Sequence, residues 1–362
     1  MSVATSTPEA WATLSLKALP HQALVALLRA FGNPDAVLAA TRAALCAVVP
    51  DSIAARVQAP VDPDALAATR EWLGDPSHEI IAWDDPDYPR ALLDLGYSPP
   101  ALFFVGRREL LNRPALAVVG SRNATAQGAA NARAFAHALS QAGLTVVSGL
   151  AVGVDAAAHE GALAAQGSTL AVVGTGLDRV YPAVNRDLAH CIAEHGGLLS
   201  EFPPGTPPRD TNFPRRNRLI SGLARGVLVV EAALSSGSLI TARYAGEQGR
   251  EVFAIPGSIH SPLSKGCHKL IREGAKLVQT AQDILEELGM GGSGAGAASD
   301  VASASSPDEG KLLAALGGDP VGVDRLVEHT GMTTDVVMAT LTRLELDGRV
   351  APVPGGLWQR LF

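Results

Sequence analysis

Short apolar runs alternate with amphipathic stretches between residue 114 and about residue 288. The runs are rich in Val, Leu and Ala and are bounded by Gly or Pro, which is typical of strands buried on both faces. The predicted strands are Ala115–Val119, Thr145–Ser148, Thr169–Val173, Gly197–Ser200, Gly226–Val230, Glu251–Ile255 and Lys276–Leu277. The predicted helices are Ala126–Ala142, Val154–Ala165, Arg186–His195, Arg216–Arg225, Leu239–Gln248 and Gly266–Glu273. This alternation predicts an α/β domain over residues 79–288, built on a doubly wound parallel sheet.

Residues 1–78 predict a small helical domain. Apolar residues recur there at helical spacing, and one of the helices is predicted at Asp35–Leu45. Short helices around a glycine turn resemble the SAM or helix-hairpin-helix class, whose hairpin can grip a DNA backbone. Because this segment carries few basic residues, a docking or partner-binding role is favoured over a DNA grip. A further strand is predicted at Ala101–Val105, before the alternating region.

A linker and a winged-helix domain are predicted after the sheet. Residues 289–307 are rich in Gly, Ser and Ala, which indicates a flexible linker. Residues 308–362 then show the winged-helix pattern, with helices and a β-wing at Asp308–Leu316, Val321–Thr330, Thr333–Asp347 and from Val350 onward. The last of these helices offers Arg343 against three acidic residues, which is little positive charge for a reader of the major groove. A protein-contact or accessory role is therefore favoured for this domain.

The composition and charge narrow the classes of function. No apolar run approaches a membrane span and the N-terminus has no signal-peptide pattern, so we expect a cytoplasmic protein. Cys46, Cys191 and Cys267 form no CxxC pair, which argues against zinc or a disulfide framework, and we predict neither a metal nor a cofactor. The net charge of −7 hides a segregation, because residues 1–100 carry most of the acidic excess whereas segment 209–225 is basic. A local basic patch of this kind suits an anionic partner.

The turn after the first alternating strand is the first candidate site. Gly120, Ser121 and Arg122 lie between a strand and a helix start, where N–H groups point outward and the helix dipole favours an anion. Ser121 adds a hydroxyl donor, and Arg122 adds a guanidinium that fits phosphate oxygens. We interpret this turn as a phosphate cradle that lacks both the P-loop and the dinucleotide fingerprint. The alternative is a helix N-terminus beside a solvated arginine.

A second glycine turn follows the next strand. Gly149 and Gly153 allow close approach of a backbone, and Asp155 and His159 share one face of the following helix. The two side chains fit either an acid–base couple of an enzyme or a capping acid with a histidine that supports the loop. The second interpretation is favoured, because no Ser or Cys nucleophile in an elbow context accompanies them.

The most basic stretch of the chain forms a third candidate site. Arg215, Arg216 and Arg218 cluster where Pro214 predicts the start of a helix, so side-chain cations and helix N–H groups would both serve phosphates. Three arginines over four residues suit several phosphates better than one. Phe213 fits either a stacking platform for an unpaired base or an apolar plug for the loop.

Small hydroxyl residues form a fourth candidate turn. Ser235, Ser236, Gly237, Ser238 and Thr241 offer backbone and hydroxyl donors that suit a phosphate or a sugar, although Ser238 and Thr241 also fit a plain helix N-cap. In a doubly wound fold these turns gather at one edge of the sheet. Several anion-binding turns without a metal triad or a convincing nucleophile predict binding along a polyanion.

A series of short motifs occurs in order along the chain: Val119–Arg122, Ser148–Asp155 with His159, Gly174–Asp178 with Tyr181 and Pro182, Ser200–Pro203, Phe213–Arg218 with Ile220 and Gly222, Ser236–Ala242, and Ile255–Gly257. In number and order they resemble the bacterial DNA-processing protein A family (DprA, also called Smf) over nearly the whole chain. The resemblance implies an extended Rossmann-like domain between a SAM-like helical domain and a winged helix. It also implies single-stranded DNA binding, protection of incoming DNA in natural transformation, loading of the RecA recombinase, and homodimers through the Rossmann-like domain.

The motifs and the resemblance together predict a set of DNA-binding residues. The resemblance makes Arg122 the principal phosphate contact and implies that the arginines of segment 209–218 line the same groove. The predicted residues are Gly120, Ser121, Arg122, Gly149, Arg209, Phe213, Arg215, Arg216, Arg218, Ser236, Gly237 and Ser238. One alternative is a nucleotide-processing enzyme, since related Rossmann proteins hydrolyse nucleoside monophosphates, with Glu201 or Glu231 beside Asp155. Another is a winged-helix DNA regulator.

Overall fold

A bundle of short helices forms the N-terminal part of the computed structural model, which describes residues 7–93, 95, 97–290, 307–316, 320–353 and 355–361. The helices are α1 (Pro8–Leu16), α2 (His21–Phe31), α3 (Pro34–Ala39), α4 (Arg42–Cys46), α5 (Asp51–Gln58) and α6 (Pro63–Trp72). The single helix predicted at Asp35–Leu45 is wrong. Ala40 is extended and the Thr41 hydroxyl accepts a hydrogen bond from Ala44 N, so one helix ends and a capped second helix begins.

A nine-stranded sheet forms the centre of the molecule. Its strands are β1 (His78–Ala82), β2 (Ala101–Gly106), β3 (Ala115–Val119), β4 (Thr145–Ser148), β5 (Thr169–Val172), β6 (Gly197–Ser200), β7 (Gly226–Val229), β8 (Glu251–Ala254) and β9 (Lys276–Leu277). They lie side by side in the order β1-β2-β6-β5-β4-β3-β7-β8-β9. The strands from β6 across to β9 are parallel, whereas β1 pairs antiparallel with β2 and β2 antiparallel with β6.

The chain changes direction across the sheet between β3 and β7. It first builds outward from β3 through β4 and β5 to β6, and it then returns to place β7 on the other side of β3. In open α/β sheets, ligands bind at the carboxyl ends of the strands on either side of such a switch point. The fold therefore places the turns that follow β3, β4 and β7 around one crevice.

Helices cover both faces of this sheet. They are α7 (Arg90–Leu93), α8 (Ala126–Gln141), α9 (Val154–Ala165), α10 (Arg186–His195), α11 (Asn212–Leu223), α12 (Ser238–Glu247), α13 (Lys265–Arg272) and α14 (Ala281–Glu287). Strand β3 is buried on both sides: Leu116 and Val118 pack among residues of α8 and α9, and Ala117 and Val119 pack among residues of α11 and α12. This two-sided burial explains the uninterrupted apolar runs of the strands.

The C-terminal part is a winged helix. It comprises α15 (Pro307–Leu316), β10 (Val321–Gly322), α16 (Val323–Thr330), α17 (Thr334–Leu346), β11 (Val350–Val353) and β12 (Leu357–Arg360), with the strands in the order β10-β12-β11. The helix predicted from Val321 is two residues too long, because Val321 and Gly322 pair with β12. Most of the linker predicted at 289–307 lies outside the described residues.

The observed architecture confirms the predicted fold class. Each strand predicted between residues 114 and 288 is present, with bounds that agree within one residue. One helix differs more, since α11 begins at Asn212 instead of Arg216. Within the described ranges, no helix is long and apolar enough to cross a membrane.

Candidate nucleic-acid interface

A cleft of about 520 Å³ opens at the switch point of the sheet. Its lining comes from the turns after β3, β4 and β7 and from the first turns of α11 and α12. Among the residues predicted to bind DNA, those that line it are Gly120, Ser121, Arg122, Phe213, Arg216, Ser236, Gly237 and Ser238. The structure thus brings the first, third and fourth candidate turns together, as the topology requires.

The Gly-Ser-Arg turn holds a fixed backbone and an exposed cation. A Cβ on Gly120 would lie 2.6 Å from the Val154 side chain, so this turn packs directly onto the start of α9. Ser121 O accepts a hydrogen bond from Val154 N (3.1 Å), which ties the turn down a second time. The Arg122 side chain is exposed, and its guanidinium carbon lies 5.5 Å from the centre of the Phe213 ring. The turn therefore presents the Arg122 guanidinium at the cleft on a rigid base.

The N-terminus of α8 is capped by the protein itself. Thr125 Oγ1 accepts a hydrogen bond from Gly128 N (2.9 Å). The Glu231 carboxylate accepts from Thr125 N (2.9 Å) and from Thr125 Oγ1 (2.5 Å). A carboxylate already lies where the sequence predicts an open helix end for a phosphate. The prediction that the N–H groups at this helix start are open to an anion is therefore wrong. An anion at this turn would depend on Ser121 and Arg122.

The turn after β4 is built around a buried arginine. Arg216 is 5% exposed, and its guanidinium donates to Gly149 O (2.6 Å) and to Val172 O, at the ends of β4 and β5. Burial lowers the pKa of Arg216 to about 10, while the nearby Asp155 carboxylate favours its charged form. Gly149 lies directly against this guanidinium. The missing Cβ at Gly149 thus makes room for Arg216.

Asp155 and His159 do not pair with each other. Asp155 accepts a hydrogen bond from Gly149 N (3.2 Å), whereas His159 Nδ1 bonds to Thr169 Oγ1 (2.7 Å) on β5. Burial raises the pKa of Asp155, with Arg216 opposing the shift, and burial lowers the pKa of His159 to about 3. Asp155 thus supports the turn, as in the favoured sequence interpretation, whereas His159 joins α9 to β5.

Helix α11 separates the arginines that the sequence groups together. Arg215 and Arg218 lie three residues apart on one face and both contact Glu201, at 3.0 Å and 2.5 Å, while Arg216 lies on another face. The Glu201 side chain is 2% exposed, and Arg218 also donates to Tyr97 O (2.7 Å). Arg215 and Arg218 line a separate pocket beside α1 and α2, outside the cleft. The expectation of one groove for all three is therefore not met by the geometry, and DNA contact by Arg215 and Arg218 stays a prediction.

Arg209 lies outside the cleft lining, whereas the turn at the start of α12 is part of it. Arg209 is exposed but is not part of the cleft lining, although its neighbour Asp210 is. The Ser236 and Ser238 hydroxyls bond to each other (2.7 Å) at the start of α12. Gly237 between them is exposed, and a Cβ there would meet no atom within 4 Å. This turn adds a second group of polar residues to the cleft lining, separate from the Gly-Ser-Arg turn.

Tyr181 borders the cleft residue Phe213 and is not among the residues predicted to bind DNA. Its ring stacks on Phe213, with ring centres 5.6 Å apart and planes 29° apart, and it is 46% exposed. The sequence shows Tyr181 only as part of a motif with Pro182. Its exposure and its contact with Phe213, 32 positions away, depend on how the turn after β5 meets α11. Local spacing carries no signal for such a contact.

Within the described part of the chain, no group of three His, Cys, Asp or Glu residues is arranged to hold a metal ion. Asp155 and Asp210 also line the cleft, but most of its polar side chains are hydroxyls, amides and arginine guanidinium groups. Groups of this kind bind anionic oxygens through charge-assisted hydrogen bonds.

Two models of known protein families match this chain. The family model for DNA recombination-mediator protein A matches residues 79–289, and the model for the DprA winged helix domain matches residues 296–356. The chain belongs to the DprA/Smf family. The DprA domains correspond to the Rossmann-like sheet region and the winged helix described above, so the resemblance seen in the motifs is confirmed.

Individual DprA/Smf proteins agree with this assignment. Protein Smf of Escherichia coli strain K12 is 46% identical over 293 residues, which cover 79% of this chain and 78% of Smf. The X-ray structure of DprA from Streptococcus pneumoniae superposes with a TM-score of 0.68 at 38% identity, covering 78% of this chain and 99% of that one. DprA from Helicobacter pylori, whose structure concerns a single-stranded DNA binding mode, has a TM-score of 0.54 at 30% identity and covers 58% of this chain and 95% of that one.

Proposed function

We propose that this DprA-family protein binds single-stranded DNA, without sequence preference, along the cleft at the switch point of its sheet. The observation that carries the proposal is the exposed Arg122 guanidinium, held at the mouth of the cleft by a rigid turn and stacked on the Phe213 ring. A cation beside an aromatic ring suits a phosphate and its neighbouring base. The H. pylori relative, whose structure concerns a single-stranded DNA binding mode, supports the same partner.

The donors of the cleft favour the backbone of the strand over its base edges. The Ser121 hydroxyl, the exposed Arg122 guanidinium and the Ser236–Ser238 turn offer contacts that any nucleotide can satisfy. Stacking on an aromatic ring is equally tolerant of sequence, since every base has a π-face, but it requires an unpaired base. The arrangement therefore favours single strands over duplexes.

The enzyme alternative lacks comparable support. Of the carboxylates that it needs, Glu201 bonds to Arg215 and Arg218, Glu231 caps α8, and Asp155 accepts from the Gly149 amide. Each carboxylate already has a role in holding the fold. We therefore propose binding without catalysis.

The biological role that we propose is protection of incoming DNA in natural transformation and loading of the RecA recombinase onto it. The description of the matched family as a recombination mediator supports this role. The proposal includes a homodimer formed through the Rossmann-like domain, by resemblance to the family.

Fluorescence anisotropy of labelled oligo-dT and of duplex DNA, across a salt series, tests the proposed function. We expect the wild type to prefer the single strand and the Arg122→Ala variant to bind it about 10- to 100-fold more weakly, because one charge-assisted contact is lost. The slope of log K against log salt should fall by about 0.7 with the loss of one phosphate contact. Arg133→Ala is the matched control, since Arg133 is exposed on α8 and pairs with Glu160.

Each outcome has a definite meaning. A drop for Arg122→Ala with Arg133→Ala unchanged supports the cleft. Equal binding by the wild type and Arg122→Ala would place the DNA elsewhere, with the Arg215 and Arg218 surface tested next. No binding of oligo-dT by the wild type at low salt would refute the proposed function.

A further inference from the structure

Three side chains contact one another in series beside the cleft. The Arg122 guanidinium carbon lies 5.5 Å from the centre of the Phe213 ring, and the Tyr181 ring stacks on Phe213 with ring centres 5.6 Å apart. The lining of the cleft stops at Phe213, and Tyr181 lies beyond it. We call Arg122, Phe213 and Tyr181 the aromatic column.

The accessible ring of the aromatic column is Tyr181. Phe213 is half-buried: its edge lies 3.0 Å from the position of a Cβ at Gly174, and its ring also contacts Arg122 and Tyr181. Tyr181, in contrast, is 46% exposed. Large aromatic side chains usually bury most of their surface, and an exposed one beside a polyanion site is typical of a stacking contact. Tyr181 therefore offers a base more accessible ring surface than Phe213 does.

The surroundings of Tyr181 hold it in place before any ligand arrives. A 3₁₀ turn, Ala183–Asn185, begins two residues after Tyr181, and Asn185 Nδ2 donates to Leu150 O (2.9 Å) in the turn after β4. Leu150 itself has a left-handed backbone, with φ of 58°. Such backbone conformations persist only where the surrounding structure enforces them. The Tyr181 loop is thus tied to the turn after β4, which lowers the ordering entropy that stacking there would cost.

We propose that Tyr181 binds an unpaired base by stacking on its exposed ring face, next to the phosphate that Arg122 binds. The inference rests on the proposed function and extends it to a residue outside the cleft. Phe213 then supports both neighbours, since Arg122 and Tyr181 pack on its ring. Because any base can stack, Tyr181 adds affinity for single strands without adding sequence preference.

The test compares Tyr181→Ala, Tyr181→Phe and Tyr181→Leu by anisotropy, with oligo-dT and with an abasic deoxyribose-phosphate strand of the same length. We expect Tyr181→Ala to weaken oligo-dT binding about tenfold, and Tyr181→Phe to restore it. The leucine variant keeps apolar cover on Phe213 without an aromatic face, so it should behave like alanine. Binding of the abasic strand should be the same for all of them. Val184→Ala is the matched control, because Val184 lies in the same loop and is 77% exposed.

The outcomes separate this inference from the proposed function. If Arg122→Ala weakens binding while Tyr181→Ala matches Val184→Ala, the Tyr181 inference is refuted and the proposed function stands. If Tyr181→Ala weakens the abasic strand as much as oligo-dT, its effect is structural and the inference is again refuted. If the wild type binds no single strand at all, both the Tyr181 inference and the proposed function are refuted. Far-UV circular dichroism of each variant verifies the fold, and Tyr181→Leu carries the test should the alanine variant not fold.

Discussion

Gly149→Ala would place a methyl group where the guanidinium of Arg216 lies. The added Cβ would be 2.5 Å from Arg216 Cζ, which is far inside van der Waals contact. Arg216 has no room to retreat, because its guanidinium donates to the carbonyl groups of Gly149 and Val172 and the residue is buried. Either the guanidinium leaves these acceptors or the turn after β4 moves.

The expected cost follows from these two routes. Overpacking a close-packed site costs about 1–3 kcal/mol. A buried charged donor that loses its acceptor adds about 1–3 kcal/mol. We expect a combined loss of about 3 kcal/mol in the free energy of unfolding, and for a domain of this size that is a fall of about 6–12 °C in Tm.

Thermal unfolding followed by far-UV circular dichroism measures the effect. Gly246→Ala is the matched control, since Gly246 lies inside α12 and a Cβ there would meet no atom within 4 Å. Alanine at that position should raise stability by about 0.5–1 kcal/mol through its better helix propensity. In an Arg216→Met background the clash disappears, so Gly149→Ala should cost clearly less there than in the wild type. If Gly149→Ala melts like Gly246→Ala, or if its cost is the same in both backgrounds, the steric reasoning is wrong.

Two further predictions concern buried ionisable groups. Burial holds the pKa of His159 at about 3, below its ordinary 6.5, so the unfolded chain binds more protons between these values. The free energy of unfolding should therefore fall by about 2 kcal/mol from pH 7 to pH 5, and His159→Gln should remove that component; an unchanged pH profile in the variant would contradict this. Glu201→Gln leaves Arg218 without its buried counter-charge and should cost about 3 kcal/mol, measured by chemical denaturation. Glu109→Gln, at an exposed pair with Arg107, should cost less than about 1 kcal/mol, and equal losses would refute the argument.

The fold follows closely from the sequence because its signals are local. Strand β3 is apolar on both faces and ends at a glycine, so its bounds can be read from residues 115–120 alone. The rule that parallel strands gather their carboxyl ends then brings Gly120 and Ser236 to one cleft, as the structure shows. The split of Asp35–Leu45 into two helices depends on one capping hydroxyl, at Thr41, which a longer apolar pattern hides.

The site is harder than the fold to predict from the sequence, because the direction of a side chain depends on how it packs. Arg215 and Arg216 are neighbours in sequence, yet the first reaches Glu201 and the second enters the protein to meet Gly149. Helical periodicity separates their faces but does not say which face meets the cleft. Gly149 is equally hard to interpret from the sequence, because the space that a missing Cβ leaves can hold either a ligand or a guanidinium. Tyr181 gives no local signal, because its exposure depends on contacts between distant turns.

The helical bundle and the sheet share a core at the antiparallel edge. Ala82 of β1 and Ala101 of β2 pack in the same apolar cluster as Trp11, Leu14 and other residues of the bundle. The bundle therefore covers apolar residues at the β1–β2 edge of the sheet. A chain shortened to begin at residue 79 would uncover that surface on a strand pair whose outer backbone groups are ready to pair with another molecule. We therefore expect the shortened chain to self-associate more readily than the full chain.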